Sequence, residues 1–203
     1  GIADIPATID GQKVTALDKD LFVSGLSEVT VPGTVATIPD YLFRLDNQGS
    51  DGLKKVGLKD GVKKIGRESF AFQVGLSSVT LSNELTEIGG SAFQSCTALA
   101  RIDLPSSLTT IGGSAFMSSG LTAVVLPDSV REVGAQAFRN CSKLQSVTLS
   151  SGMTTISARL FENADKLTTV TIPASIRSIG EDAFNGCDSL KTIYFGGTQA
   201  QWN

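Results

Sequence analysis

The hexapeptide Ile-Gly-Gly-Ser-Ala-Phe occurs twice, at residues 88–93 and 111–116, and is the first candidate for a chemical site. Small residues in a glycine-rich turn let main-chain N–H groups approach a phosphate closely, and a serine in such a loop could be a nucleophile. The two copies begin 23 residues apart, a distance that is also typical of structural repeats. A repeat would place similar turns in a row and would form no single pocket.

Catalytic chemistry is restricted because the chain contains no histidine. This excludes histidine-based acid–base catalysis and histidine-activated nucleophiles, and it removes a common ligand of catalytic zinc. No spacing of Ser, Lys and Asp side chains assembles a nucleophile with a base. We therefore expect no enzymatic activity and no cofactor.

The segment 44–52 contains Asp46, Asn47 and Asp51, whose oxygen atoms could bind calcium. Their spacing does not fit the calcium-loop template, and a polar surface turn explains the same composition. We expect the turn and no metal site.

The composition, with 41% hydrophobic residues among 203, is sufficient for a sizeable core. The formal net charge of −3 does not indicate a strongly basic face, so we expect no nucleic-acid partner. No apolar run reaches the ~18 residues of a membrane span, so we expect no membrane insertion of this segment. The chain starts with Gly1 rather than methionine, which suggests that any signal peptide has already been removed.

The pattern L-x-x-V-x-L recurs along most of the chain and divides it into eight units. The units begin at Leu26, Leu53, Leu76, Leu99, Leu121, Leu144, Leu167 and Leu190, with spacings of 27, 23, 23, 22, 23, 23 and 23 residues. The fourth and sixth positions are apolar, which predicts a short strand with one buried face. Apolar tenth and thirteenth positions predict a second row of very short strands.

Each unit is too short to bury its own apolar side, so neighbouring units must cover it. The predicted fold class is a mostly β repeat solenoid with one parallel sheet, a second row of short strands, and single helical or 3₁₀ turns. We assign residues 1–25 to an N-terminal cap with a partial first repeat. Residues 26–195 form seven full repeats and the start of an eighth, and residues 196–203 begin a C-terminal cap or a truncated continuation.

Eight of the ten phenylalanines occupy one position of the repeat and should stack into a continuous column. They are Phe22, Phe43, Phe70, Phe93, Phe116, Phe138, Phe161 and Phe184. A glycine precedes this position in most units, but Pro39 and Ser157 replace it in two of them. Because proline fixes a negative φ, we predict a negative φ at Gly89 and Gly112, whose small size would serve close packing.

The three cysteines, Cys96, Cys141 and Cys187, occupy the same place in the third, fifth and seventh units. Neighbouring cysteines are therefore two coils apart, roughly 10 Å at the ~4.8 Å strand spacing, which exceeds the ~7 Å Cα separation that a disulfide spans. We predict free, buried thiols.

Both ends carry signals for caps. Asp-Gly between alternating apolar residues predicts a hairpin in 7–17, and Thr198 followed by Gln201 predicts a capping box that starts a helix. We expect Trp202 to fold over the last coil and the helix to continue in a longer protein.

The unit from Leu121 to Cys141, LTAVVLPDSVREVGAQAFRNC, resembles the BspA-like bacterial leucine-rich repeat, and the resemblance extends over about Val14–Phe195. The commoner leucine-rich pattern has asparagine at a position that holds other residues in every unit here. The resemblance implies an extracellular or cell-surface bacterial protein used in adhesion or protein interaction. Its implied partner is a protein or glycan on a host or neighbouring cell.

Outward positions of the predicted strands are mostly Ser and Thr, which suit an exposed strand without any binding role. Binding hot spots favour Trp, Tyr and Arg, so Arg101, Tyr194 and Trp202 are candidate contacts. The alternative for each of these residues is an exposed position with no binding role.

The second unit, Leu53–Gly75, is strongly basic, with six Lys and Arg against two acidic residues. Lys54, Lys55, Lys63 and Lys64 could attract a sulfated glycan, a teichoic acid or an acidic protein. Alternatively, they form a solvated surface that keeps a monomer soluble. Two functions therefore remain open, a surface interaction module and a structural spacer that displays another domain.

Overall fold

The computed structural model describes residues 1–18, 25–45 and 52–202. Repeat units stack as the coils of a solenoid, and coil 1 to coil 8 denote the folded units in chain order. One short strand from most coils forms the first strand row, and a second forms the second strand row. The first strand row comprises β1 (Ile2–Asp4), β4 (Glu28–Val31), β6 (Lys55–Leu58), β8 (Ser78–Thr80), β11 (Ala123–Val125), β13 (Ser146–Thr148), β15 (Thr169–Ile172) and β17 (Thr192–Phe195).

The second strand row consists of two-residue strands, as the apolar tenth and thirteenth positions predict. They are β5 (Thr37–Ile38), β7 (Lys64–Ile65), β9 (Glu87–Ile88), β10 (Thr110–Ile111), β12 (Glu132–Val133), β14 (Thr155–Ile156) and β16 (Ser178–Ile179). All pairings within both rows are parallel, and equivalent repeat positions face each other, as in Val124↔Val147 and Val147↔Val170. The predicted solenoid of parallel strands is confirmed.

The phenylalanine column is also confirmed for the seven members that the structure describes; Phe22 lies outside the described residues. Ring centroids of successive coils are 5.3–5.7 Å apart, with interplanar angles from 0° to 20°. Phe70, Phe93, Phe116, Phe138 and Phe161 are fully buried. Stacked aromatic pairs add about 0.5–1.5 kcal/mol each beyond the burial of their area, so the column couples coils 1 to 7 to one another.

The turns that carry these phenylalanines differ from the expected helical or 3₁₀ turns. In coil 3, φ is +55° at Ser91 and +59° at Ser95, and these left-handed residues prevent the turn from continuing as a helix. Instead, the N–H groups of Ser91, Phe93 and Ser95 donate to carbonyl oxygens of coil 4 at 2.7–2.9 Å. The left-handed residues therefore direct main-chain hydrogen bonds between coils.

The negative φ predicted at Gly89 and Gly112 is confirmed, since neither belongs to the glycines with positive φ. Their small size serves the approach of consecutive coils. A Cβ on Gly112 would lie 2.5 Å from the nitrogen of Gly90, and a Cβ on Gly89 would lie 2.7 Å from the carbonyl carbon of Gly66.

The local signals at the two ends are confirmed. β2 (Thr8–Ile9) and β3 (Gln12–Lys13) form the hairpin, with positive φ at Asp10 and Gly11. β1 precedes this hairpin and pairs with β4 at the edge of the first strand row. At the other end, the Gln201 side chain accepts a hydrogen bond from the N–H of Thr198 at 2.8 Å, and α1 spans Gln199–Trp202. The Trp202 side chain lies outside what the structure describes.

We predict that Phe116→Ala lowers the free energy of unfolding by about 3–5 kcal/mol, because it removes a buried ring from the middle of the column. Phe184→Ala should cost clearly less, since Phe184 is only partly buried. Denaturant melts of the two variants test this. A loss below about 1 kcal/mol for Phe116→Ala would show that the column does not hold the coils together.

Gly112→Ala should destabilise the protein by about 1–3 kcal/mol, because its Cβ overlaps the main chain of coil 3. Gly90→Ala is the matched control. Its Cβ would meet only the Gly113 oxygen at 3.4 Å, and Ala135 already occupies the equivalent position in coil 5. Equal thermal stabilities of the two variants would contradict the close-approach explanation.

Candidate binding surface

The first strand row is interrupted at coil 4. Its strands form two separate sheets, ordered β1-β4-β6-β8 and β11-β13-β15-β17. Segment 101–104 lies between the edge strands β8 and β11, and its main chain makes no hydrogen bond to either neighbouring coil among the described residues. The edges of β8 and β11 therefore remain without a paired strand on their facing sides.

The interruption coincides with the one unit of 22 residues, and the missing residue falls in the connection from coil 4 to coil 5. Only five positions separate Phe116 from Leu121, compared with six from Phe93 to Leu99. The shorter connection presses Gly120 against coil 3, where a Cβ would lie 2.2 Å from the carbonyl oxygen of Thr97. We attribute the lost strand pairing to this displaced start of coil 5.

A cleft of about 440 Å³ opens at the interruption. Its apolar floor includes Ile102 and Leu104, which are only partly buried, whereas the equivalent Val124 and Leu126 of coil 5 are 4% and 3% exposed. Val125 stands at its margin with 66% exposure. The lining residues are Ala100, Arg101, Ile102, Asp103, Leu104, Thr122, Ala123, Val125 and Pro127.

Opposite charges mark one side of the cleft. The Arg101 guanidinium contacts the Asp103 carboxylate at 2.8 Å, and the two side chains are 82% and 81% exposed. An ion pair this exposed contributes about 0–1 kcal/mol, so both groups are available to a partner at little cost. The structure thus places the predicted contact Arg101 beside the cleft, together with a carboxylate that the sequence pattern did not single out.

Tyr194 also lies on the exposed face of the first strand row, with 61% exposure on β17. It pairs in register with Thr171, which follows Thr148 and Val125 across the sheet. We call this line of side chains, Val125 to Tyr194, the front strip. Two threonines lie in it between the exposed Val125 and the exposed Tyr194, so it joins the cleft to the predicted contact Tyr194.

The structure does not gather the basic residues of the second unit into one patch. Lys55 lies in the first strand row and approaches Glu28 at 3.9 Å, whereas Lys64 lies in the second strand row and contacts Glu87 at 2.8 Å. Lys54 and Lys63 immediately precede these two strands. The four lysines are thus divided between two strand rows, and Lys55 and Lys64 each lie beside an acidic side chain.

The structure also shows a cluster of two aromatic side chains around an arginine that the sequence analysis did not predict. Tyr41 and Phe72 have positive φ at turn positions where later coils mostly hold Ser, Gln, Asn or Asp, and they flank the Arg44 guanidinium at 5.9 and 5.4 Å. Arg44 also contacts Glu68 at 2.7 Å. Aromatic residues at positions filled elsewhere by small polar ones were the signal that could have revealed this cluster.

The cysteines are free, as predicted, and Cys96 and Cys141 are buried while Cys187 is partly exposed. Each thiol donates a hydrogen bond to the carbonyl of an earlier phenylalanine at 3.2–3.3 Å. Burial raises the pKa of the Cys96 thiol to about 12 and also raises the pKa of Cys141 and Cys187. Such thiols are structural and are poor nucleophiles at neutral pH.

Within residues 1–18, 25–45 and 52–202, no group of three acidic or cysteine side chains could hold a metal ion. The calcium candidates Asp46, Asn47 and Asp51 lie outside the described residues. In the same described ranges, no helix is long and apolar enough to cross a membrane.

The repeat period, the phenylalanine column and the two strand rows agree with a family assignment. The family model of the BspA type leucine-rich repeat region matches residues 15–128 and 109–201, in six copies. The chain belongs to this BspA-type leucine-rich repeat family. No match was found among proteins with curated descriptions.

Solved structures of bacterial leucine-rich repeat proteins share the fold. The T. pallidum leucine-rich repeat protein TpLRR is 30% identical, with a TM-score of 0.73 over 94% of this chain and 78% of that one. A Bacteroides ovatus leucine-rich repeat protein is 23% identical, with a TM-score of 0.70 over 96% of this chain and 45% of that one. The pneumococcal vaccine antigen PcpA is 20% identical, with a TM-score of 0.56 over 97% of this chain and 72% of that one.

For this BspA-type protein, we predict that native Cys96 and Cys141 resist a thiol reagent such as DTNB at pH 8, while Cys187 reacts first. Unfolding should release all three thiols. Because the pKa of Cys96 rises from about 9 to about 12 in the folded chain, the unfolded chain loses this proton first. Stability should therefore fall as pH rises from about 9 to 12.

Cys187→Ser supplies the control, since it should abolish the early phase of the native reaction and leave the slow phase unchanged. Equal reaction rates of all three native thiols would contradict the assignment of Cys96 and Cys141 to the core.

Proposed function

We propose that this BspA-type repeat protein is a non-catalytic interaction module, located extracellularly or on the cell surface. Its partner would be a protein or glycan on a host or neighbouring cell. The observation that carries the proposal is the exposed face of the first strand row, where the cleft opens directly beside the front strip. Family membership supports the surface location, as the resemblance of the repeats implies.

A rigid scaffold supports this proposal. Stacked phenylalanines and main-chain ladders fix the coils, so outward side chains of adjacent strands lie about 4.8 Å apart at fixed registers. A binding surface that is ordered in advance loses little conformational entropy when a partner docks. The front strip is polar enough to remain in water, and its two exposed apolar ends provide hydrophobic contact area.

The structural spacer is the alternative function. A stiff solenoid suits it, and it requires no partner at all. The two functions differ in a measurable way, since only the interaction module predicts saturable binding by the isolated repeats.

An array of extracellular proteins and cell-surface glycans, probed with the labelled chain, tests the proposal. Thr148→Glu introduces a charge into the front strip and should weaken binding at least tenfold. Thr155→Glu is the matched control, because Thr155 is an exposed strand threonine of the same coil in the second strand row. It should leave binding unchanged.

A third variant, in which Lys54, Lys55, Lys63 and Lys64 become Gln, tests the basic unit separately. Salt-sensitive binding to immobilised heparin that disappears in this variant would assign recognition to the lysines instead of the front strip. Absence of saturable binding to every array member would favour the spacer.

A further inference from the structure

We infer that the cleft at coil 4 binds an extended peptide segment, which adds a strand to the free edge of β11. This inference rests on the proposed function and names the chemical class of its partner. Strand addition to an exposed sheet edge gives affinity through main-chain hydrogen bonds and specificity through alternate side chains.

The main chain of β11 offers the required hydrogen-bonding groups. The N–H of Leu126 donates to the carbonyl oxygen of Thr148 in coil 6 at 2.9 Å. Because successive N–H groups of a strand point to opposite sides, the N–H of Val125 points away from coil 6, toward the cleft. Only the start of this edge is closed, by a hydrogen bond from the N–H of Thr122 to the Ala100 oxygen at 3.0 Å. An unpaired strand edge next to a cleft favours another main chain over a ligand without peptide groups.

The floor of the cleft provides an apolar surface for a side chain of the bound peptide. Ile102 and Leu104 are core positions of the repeat that remain partly exposed at the interruption. In a bound strand every second side chain would point toward this floor. An apolar side chain at that position would cover Ile102 and Leu104 as a neighbouring coil covers the equivalent residues elsewhere.

The exposed ion pair sets the order of charges in the partner. Arg101 and Asp103 are two positions apart, and their exposed side chains lie together at the cleft. Opposite charges stabilise neighbouring strands, so the partner should carry an acidic residue beside Arg101 and a basic residue beside Asp103. Since every pairing in the first strand row is parallel, the expected order is Glu-x-Lys, with x apolar.

The cleft has the size for such a segment. The five residues Ala100–Leu104 line one side, and a bound strand of five residues would extend roughly 16 Å at about 3.3 Å per residue. Its volume of about 440 Å³ falls in the range of small-ligand sites, about 300–1,000 Å³. A few residues of an extended peptide therefore fit, whereas a folded domain would contact only the rim.

An array of octapeptides with the central sequences Glu-x-Lys and Lys-x-Glu, where x is Val, Phe or Ser, tests the inference on the intact chain. Fluorescence polarisation with the labelled hits then gives their affinities. Glu-Val-Lys and Glu-Phe-Lys peptides should bind at least tenfold more tightly than the Lys-x-Glu and Ser-centred peptides. Equal binding of all sequences, or of none, would overturn the inference.

Three variants identify the mode of binding. Val125→Pro removes the N–H that faces the cleft and should abolish peptide binding. Val125→Thr keeps that N–H and changes only the side chain, so it should weaken peptide binding at least tenfold less than Val125→Pro does. The double variant Arg101→Glu with Asp103→Lys changes only exposed side chains and should reverse the preference to Lys-x-Glu. Native-like thermal melts establish that each variant is folded.

Unchanged peptide affinity in Val125→Pro, or an unchanged sequence preference in the double variant, would overturn strand addition at this edge. If sedimentation shows a dimer that Val125→Pro dissociates, the occupant is a second copy and the peptide inference falls. If the array of macromolecules shows binding that Thr148→Glu weakens while no peptide binds, the inference alone fails and the proposed function stands.

Discussion

Contact between consecutive coils is the interaction on which the whole structure depends. No coil buries its own apolar side, and core residues such as Phe116 and Leu121 are covered only because neighbouring coils lie against them. The same contact satisfies the main chain, since the left-handed turn residues send their N–H groups to the next coil. Aromatic stacking and hydrogen bonding therefore operate along one axis, and the spacing between coils controls both.

This dependence explains why one missing residue matters. The phenylalanine column continues through coil 4, with ring centroids of Phe93 and Phe116 5.4 Å apart and those of Phe116 and Phe138 5.5 Å apart. The first strand row breaks at the same coil. The second strand row continues through coil 4 and separates one coil later, between β12 and β14. At coil 4 itself the loss is therefore confined to the first strand row, where a few strand hydrogen bonds are missing and two core side chains are partly exposed.

The sequence was sufficient for features that repeat. Most strand positions, the phenylalanine column and the free cysteines follow from what one unit shares with the next, although the strand expected at 101–104 does not form. The sign of φ at Gly112 followed from Pro39 at the equivalent position of another unit. The sequence was insufficient where a feature depends on how two coils meet. Serine does not indicate a left-handed φ, so the backbone angle of Ser91 could not be predicted from its residue type. The cleft depends on the approach of Gly120 to Thr97. The 22-residue spacing marks the irregular unit but does not show this contact. Arg101 and Tyr194 were named from their outward strand positions and residue types, which do not show what surrounds each of them.

A regular solenoid presents equivalent surfaces at every coil, so a partner would bind each position with similar affinity. Distinct recognition therefore requires a departure from the repeat. Coil 4 supplies one, because its unpaired main chain, partly exposed Ile102 and Leu104, and oppositely charged Arg101 and Asp103 occur together at the interruption. The intact neighbouring coils hold this irregular segment in place, since Leu99 and Leu108 on either side of it remain fully buried. The repeat thus provides the stability that allows one coil to leave its edges unpaired.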